Sequence, residues 1–298
     1  MCVTMIIRKT PQILIENAYC SWSSAKRKCI EILEGRSTLQ NRKDFISNLQ
    51  NSVELFMKQI MLNKKDYRVS EVKKINSDGE PASSYYNSQD LNVYFKNTPD
   101  DVMKLFYSIE FNKLCEIHKE VLAGYLSEGQ CFTSELKLLR KLRNMETHFY
   151  IGPDDFLTES EFVTLHNFMI DFYGVLILSG LIPSKTIEYQ HLEFNNSKLT
   201  AFSYVDAVKN IELVKKIALA ASKTIMLSFP GETAYDMAAS ICCSNKSLLD
   251  HFNEVWDYME ILDYLNLIEI HEIVSERPSL YFDDCHSPEI NYCIEIKI

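Results

Sequence analysis

Phe45, Leu49, Val53, Phe56 and Ile60 follow one another at intervals of four, four, three and four residues. At about 100° per residue, that spacing gathers all five on one side of a helix. An apolar stripe four turns long has to be buried against other elements, so a chain that contains it is built from packed helices. Composition supports this. Only 8 Gly and 8 Pro occur in 298 residues, few for the tight turns of a β-sandwich or barrel, and 46% hydrophobic with 24% charged residues is ordinary globular usage. The length suits two domains, or one large one, with a substantial core.

Other helices can be placed around this one. Residues 13–33 read as a helix closed by Gly35, and residues 43–62 hold the stripe. Ser77, Asp78, Gly79, Glu80 and Pro81 with Ser83 and Ser84 break the pattern, so 64–97 reads as a long surface insertion. Thr98, Pro99, Asp100 and Asp101 look like a helix start, which predicts a helix over 98–122. A further helix is expected over 133–149, stopped by Gly152 and Pro153. Thr158 and Glu161 form a capping box for one over 159–179, ending at Gly180.

After a polar connector over 184–203 the pattern changes. Helices are expected over 206–227, 233–243 and 247–265. Two β-branched strands follow, one with Ile268, Ile270 and Ile273 and one with alternating Ile290, Tyr292, Ile294 and Ile296. Three helices followed by two strands resemble a winged helix-turn-helix. The expected fold class is therefore mainly α: a helical bundle over 1–183 and a smaller α+β, winged-helix-like domain over 204–298.

Charge separates the same two regions. The net charge is −10, but residues 1–150 carry 22 Lys+Arg against 18 Asp+Glu, a balance of +4. Residues 151–298 carry 9 against 23, a balance of −14. A polyanion site is thus expected in the first half. The stretch 247–265 holds Asp250, Glu254, Asp257, Glu260 and Asp263 without Lys or Arg, which argues against its entering a DNA groove. An acidic domain of this kind reads as a protein-docking or dimerisation domain, or as a mimic that masks a basic site.

Several chemistries find no foothold. GxGxxG, GxxxxGK[ST] and GxSxG are all missing, as are CxxC pairs and His-x3-His. Nine scattered Cys read as reduced, buried thiols, with Cys285, His286 and Cys293 as the alternative metal-binding reading, so neither metal nor cofactor is expected. Apolar residues 1–7 are followed at once by Arg8, Lys9 and Pro11, unlike a signal peptide. The longest apolar run, 175–182, is short of the ~20 residues a span needs. A cytoplasmic protein without membrane contact is expected.

The chemically informative stretch runs from Leu138 to Tyr150. Leu138, Leu142, Met145 and Phe149 fall on one expected core face. Arg140, Asn144 and His148 recur at i+4 as a polar stripe, and Arg143 points about 140° from His148. Arg offers a donor fork for phosphate, and a His near its unperturbed pKa can move a proton at neutral pH. A solvated basic helix face with one incidental His is the alternative.

Arg143, Asn144, Met145, Glu146, Thr147 and His148 resemble the R-N-x-x-x-H motif of the HEPN superfamily of helical-bundle domains, and His148-Phe149-Tyr150 resembles its R-x4-H-x-Y toxin form. Val53 to Lys58 is similar to the family's early helix, and the resemblance covers about residues 12–180. It implies a metal-independent endoribonuclease of a toxin–antitoxin, abortive-infection or other anti-phage system. Arg143, Asn144 and His148 would be catalytic, with Arg140 and Lys141 lining an RNA groove. It further implies a homodimer pairing two motif helices, and a nucleotidyltransferase antitoxin that modifies Tyr150, or an ATPase partner. The insertion at 64–97 and the acidic second domain depart from the family pattern. A HEPN bundle acting as an inert adaptor or nucleotide-binding module is the alternative.

Other residues are read more plainly. Glu54 and Lys58 form a helix pair, or Glu54 faces the motif helix and assists the site. His118, His166 and His251 are structural, Trp22 and Trp256 are packing residues, and Tyr85 with Tyr86 are loop tyrosines or base-stacking groups.

Overall fold

The computed structural model describes residues 11–72, 106–147, 156–183, 187–226, 233–275 and 289–298. The chain forms two compact units, one of Leu39–Phe202 with the chain up to Cys29, the other of Ser203–Ile298 with Ile30–Thr38. Both are mainly helical.

The first unit is built around α1 (Pro11–Leu33), α2 (Leu39–Asn63), α3 (Phe111–Val121), α4 (Thr133–Thr147) and α5 (Glu159–Leu178). The stripe of α2 is buried as expected: Phe45, Leu49, Val53 and Phe56 are inaccessible and Ile60 nearly so. Trp22 of α1 sits at the centre of an aromatic cluster, with its ring centroid 6.2 Å from Phe56, 6.2 Å from Phe172 and 6.4 Å from Phe194. Its indole Nε1 donates to the Leu192 carbonyl at 2.8 Å. Leu192 and Phe194 are core residues, so the stretch expected to be a polar connector supplies part of the bundle interior. The signal was weak because Ile187–Leu192 is a 3-10 turn, whose packing no helical period reports.

The capping box of α5 is formed: Glu161 N donates to Thr158 Oγ1, and Thr158 N donates to Glu161 Oε2 at 3.0 Å. Gly180 follows the helix at φ +71°. Thr158→Ala is expected to lower stability by about 1 kcal/mol in urea unfolding. By length and composition α5 is apolar enough to span a membrane. In this fold Phe162, Leu165, Phe168, Met169, Phe172 and Val175 lie in the bundle core, and Asp171 is paired with Lys198 at 2.8 Å.

One expected helix is corrected. Within 98–122, β2 (Phe106–Ser108) pairs antiparallel with β1 (Ser70–Val72), Ser70 opposite Ser108 and Val72 opposite Phe106. Only then does α3 begin, after Glu110 in extended backbone at φ −73° and ψ 151°. Phe106, Tyr107 and Ile109 suit a strand once a partner is available, and that partner is some 35 residues earlier, beyond any local period. The expected start at Thr98 and most of the insertion lie outside the described residues.

The second unit contains α6 (Tyr204–Lys209), α7 (Glu212–Ala221), β3 (Ile225–Met226), α8 (Ala234–Ser244), α9 (Phe252–Tyr264), β4 (Ile268–Ser275) and β5 (Glu289–Ile296). The helix expected over 206–227 is thus divided. Asn210 caps α6, Ile211 takes extended backbone before α7, and a short strand follows. The helix expected over 247–265 is also divided, into a 3-10 turn (Lys246–His251) and α9. Thr233 and Asp236 form the capping box of α8. β5 lies between β3 and β4 in an antiparallel sheet, with Ile268 opposite Ile296 and Ile270 opposite Ile294. Val214, Ile217, Met237, Ile241, Val255, Met259, Leu262 and Ile294 share its core.

Gly35 belongs to this unit, and its position requires glycine. Its φ is +84°, and an added Cβ would lie 2.7 Å from Ile211 Cδ1.

Candidate active site

Helices α2 and α4 form the walls of a polar cleft of about 370 Å³, lined by Ser47, Asn48, Gln50, Asn51, Glu54 and Arg143. The side of α2 away from its apolar stripe supplies the first five, and α4 supplies the guanidinium. The cleft therefore joins two residues singled out in the sequence, Glu54 and Arg143, which are 89 positions apart.

How α4 is seated explains this. Leu136, Leu139 and Leu142 are buried, while Leu138 and Met145 are only half-buried. The buried line is Leu136–Leu139–Leu142, turned from the expected Leu138–Leu142–Met145 side, and the helix packs against α2, α3 and α5; Phe149 lies outside the described residues. Arg143 stands four residues after Leu139, beside that buried line, and is half-buried. Arg140 and Asn144 are exposed. The expected angle between Arg143 and His148 involves a residue outside the described ones. His148 and Tyr150 lie outside the described residues.

Lys58 is buried at 6% side-chain exposure, and its Nζ donates to Glu54 Oε1 and, at 3.0 Å, to Ser108 Oγ on β2. The expected helix pair is present, but it is an interior pair with a third partner. Glu54 pairs with Lys58 and also lines the cleft to which the motif helix contributes Arg143. Burial pushes the Cys115 thiol on α3 up to about 11, an effect opposed by the nearby Arg140 charge and reinforced by Glu54. Lys141 pairs with Glu161 Oε1 at 2.9 Å, which ties its charge to the start of α5.

The remaining polar candidates are structural or superficial. His118 is buried, with Nδ1 2.7 Å from the Cys115 carbonyl, and His166 is buried between Asn167 and Asn196. Desolvation holds the His166 imidazole below its usual range, which keeps it neutral at pH 7. His251, by contrast, is exposed beside Glu254. Trp256 packs edge-on against Tyr235, with centroids 5.2 Å apart. Of the described cysteines Cys29 and Cys242 are buried, whereas Cys20, Cys131 and Cys243 are exposed, so burial of the thiols is only partial. Tyr85, Tyr86, Cys285 and His286 lie outside the described residues.

In the second unit, Asp250, Glu254, Asp257, Glu260 and Asp263 are all exposed. On its sheet, Glu269 and His271 of β4 and Glu295 of β5 bring their ligand atoms within 4.8 Å of one another. His271 Nε2 lies 2.7 Å from Glu295 Oε2, and Glu269 is ion-paired with Lys297, which holds the carboxyl below its usual range. Sequence spacing missed this group because it depends on cross-strand register. The amide row of α2 was missed for another reason: its side chains are neutral and match no catalytic motif. Their recurrence opposite the apolar stripe was the available signal.

No family model matches the chain, and no match was found among curated proteins or solved structures.

Proposed function

We propose that the chain is an endoribonuclease of the HEPN type, with Arg143, Asn144 and His148 as its catalytic residues. The supporting observation is the polar cleft in which Arg143, from the motif helix, meets Glu54, from the early helix of the resemblance. In the proposed reaction the RNA 2′-oxygen attacks the adjacent phosphorus and the 5′-oxygen leaves, giving a 2′,3′-cyclic phosphate and a 5′-hydroxyl. One proton leaves the 2′-hydroxyl and one is delivered to the departing oxygen. His148 carries one of these transfers. Arg143 donates to the non-bridging oxygens as charge accumulates on them. A second copy of the chain would supply the other proton-transfer group, hence the proposed homodimer through α4. Arg140, exposed on the same helix, serves RNA binding together with Lys141.

The second unit is read as a winged helix, supported by α7, α8 and α9 followed by β4 and β5. Its five exposed carboxylates favour protein docking over DNA binding. Tyr150 remains the proposed modification site for a nucleotidyltransferase partner.

The test is product chemistry. Full-length protein incubated with a defined RNA in EDTA is expected to yield fragments with 2′,3′-cyclic phosphate and 5′-hydroxyl ends. Intact RNA, or cleavage that requires an added divalent cation, overturns the reading.

A further inference from the structure

Strands β4 and β5 carry a second polar cluster, on the face of the sheet turned away from the core. Side chains alternate between the two faces along a strand. Tyr292, Ile294 and Ile296 of β5 belong to the core of the unit, so Cys293 and Glu295 lie on the other side. The register sets Glu269 directly across from Glu295, and His271 directly across from Cys293. Two successive rungs of this outer face thus consist of metal-ligating residue types.

The first rung is unfavourable by itself, because like charges directly opposite on a sheet repel. Its carboxylates nevertheless converge on the imidazole. His271 Nε2 lies 2.7 Å from Glu295 Oε2 and 4.0 Å from Glu269 Oε2, and the three ligand atoms are all within 4.8 Å of one another. Four-coordinate zinc, with bonds of about 2.0–2.1 Å, spaces its ligand atoms about 3.3 Å apart. The observed separations bracket that value, so shifts of about 1 Å complete the geometry. His271 and the two carboxylates are 44–56% exposed, which lets a cation reach them from solvent and lets the side chains adjust.

The donors are one imidazole nitrogen and two carboxylate oxygens. Calcium and magnesium favour shells made of oxygen alone, whereas an imidazole with carboxylates suits zinc. Cys293 Sγ is turned to the Ile294 carbonyl at 3.8 Å, so the set holds no sulfur. Lys297 is ion-paired with Glu269 and is itself exposed. Its ammonium carries a single charge, and a divalent ion between the strands would neutralise both carboxylates at once.

We propose that Glu269, His271 and Glu295 bind one Zn²⁺ ion, which clips β4 to β5 on the outer face of the sheet. His271 binds through Nε2 as the neutral ring, its proton on Nδ1. The ion displaces Lys297 from Glu269, and water fills the fourth position. The site is structural and stands apart from the ribonuclease reading, whose reaction uses no metal.

The experiment is calorimetric titration of the full chain, stripped with EDTA and dialysed, with Zn²⁺ alone and in parallel with Mg²⁺. Wild type is expected to bind zinc and not magnesium. His271→Ala and Glu295→Gln should each weaken zinc binding at least ~10-fold, since loss of even an outer-shell partner of a metal ligand commonly costs that much. Lys297→Gln removes the competing cation and should tighten binding about 3-fold, within the range for an exposed ion pair. Zinc should also raise the melting temperature of wild type but not of His271→Ala. Zinc bound equally by wild type and His271→Ala would place it elsewhere, for instance on the exposed Cys20, Cys131 or Cys243, and overturns the assignment. Absence of zinc binding, magnesium bound as tightly as zinc, or weaker zinc binding by Lys297→Gln overturns it too.

Discussion

Arg143→Ala is expected to slow RNA cleavage by about 10²–10³-fold, the usual effect of removing one preorganised donor to a developing oxyanion. The reason lies in where α4 puts the side chain. Arg143 is half-buried beside Leu139 and Leu142, so its guanidinium acts within a walled cleft where charge is less screened than on an open helix face. Arg143→Lys keeps the charge but loses the planar fork, and should fall between wild type and alanine. His148→Ala is expected to remove ~10²–10⁴-fold by loss of proton transfer. Both groups serve one transition state, so the double variant should be little slower than the worse single variant. Single-turnover cleavage rates measure this, with melting curves to confirm folding. If Arg143→Ala cleaves at the wild-type rate while remaining folded, the cleft is not the reaction site.

What could be read from the sequence were those features whose physical cause is local. The stripe of α2 follows from one helical period. The cap of α5 needs only Thr158 and Glu161, and the stop after α1 needs only a residue that tolerates φ +84°. Features that depend on a distant partner were misplaced. The β2 strand was hidden inside an expected helix because its stability comes from Ser70–Val72. Phe194 was assigned to a polar connector, although its ring packs against Trp22, 172 residues earlier. The core face of α4 was read slightly askew because a Leu-rich helix offers two adjacent apolar lines, Leu136–Leu139–Leu142 and Leu138–Leu142–Met145. Which line is buried depends on the neighbours. That choice decides whether Arg143 enters the cleft, so the motif could be found in the sequence but the cleft it enters could not.

Glu54→Ala is expected to destabilise the first unit by about 3 kcal/mol, because it strips a buried ammonium of its carboxylate partner. Lys58 has 6% side-chain exposure against 23% for Glu54, so its charge has little water to fall back on. Ser108 Oγ is a neutral acceptor and compensates only in part. Replacing both charges avoids the penalty. Glu54→Gln/Lys58→Met should return to within about 1 kcal/mol of wild type, since a well-packed apolar side chain commonly replaces an interior ion pair without loss. Urea unfolding of the three proteins measures this, and a Glu54→Ala variant as stable as wild type would contradict the interior pair. The same double variant then separates two roles for Glu54. If the carboxylate served only to neutralise Lys58, restoring stability would also restore cleavage. Glu54 lines the cleft with Arg143, where its carboxylate can orient the guanidinium or the attacking hydroxyl. The stable double variant is therefore expected to cleave about 10-fold more slowly than wild type, a loss within the range for a positioned acid–base or orienting group.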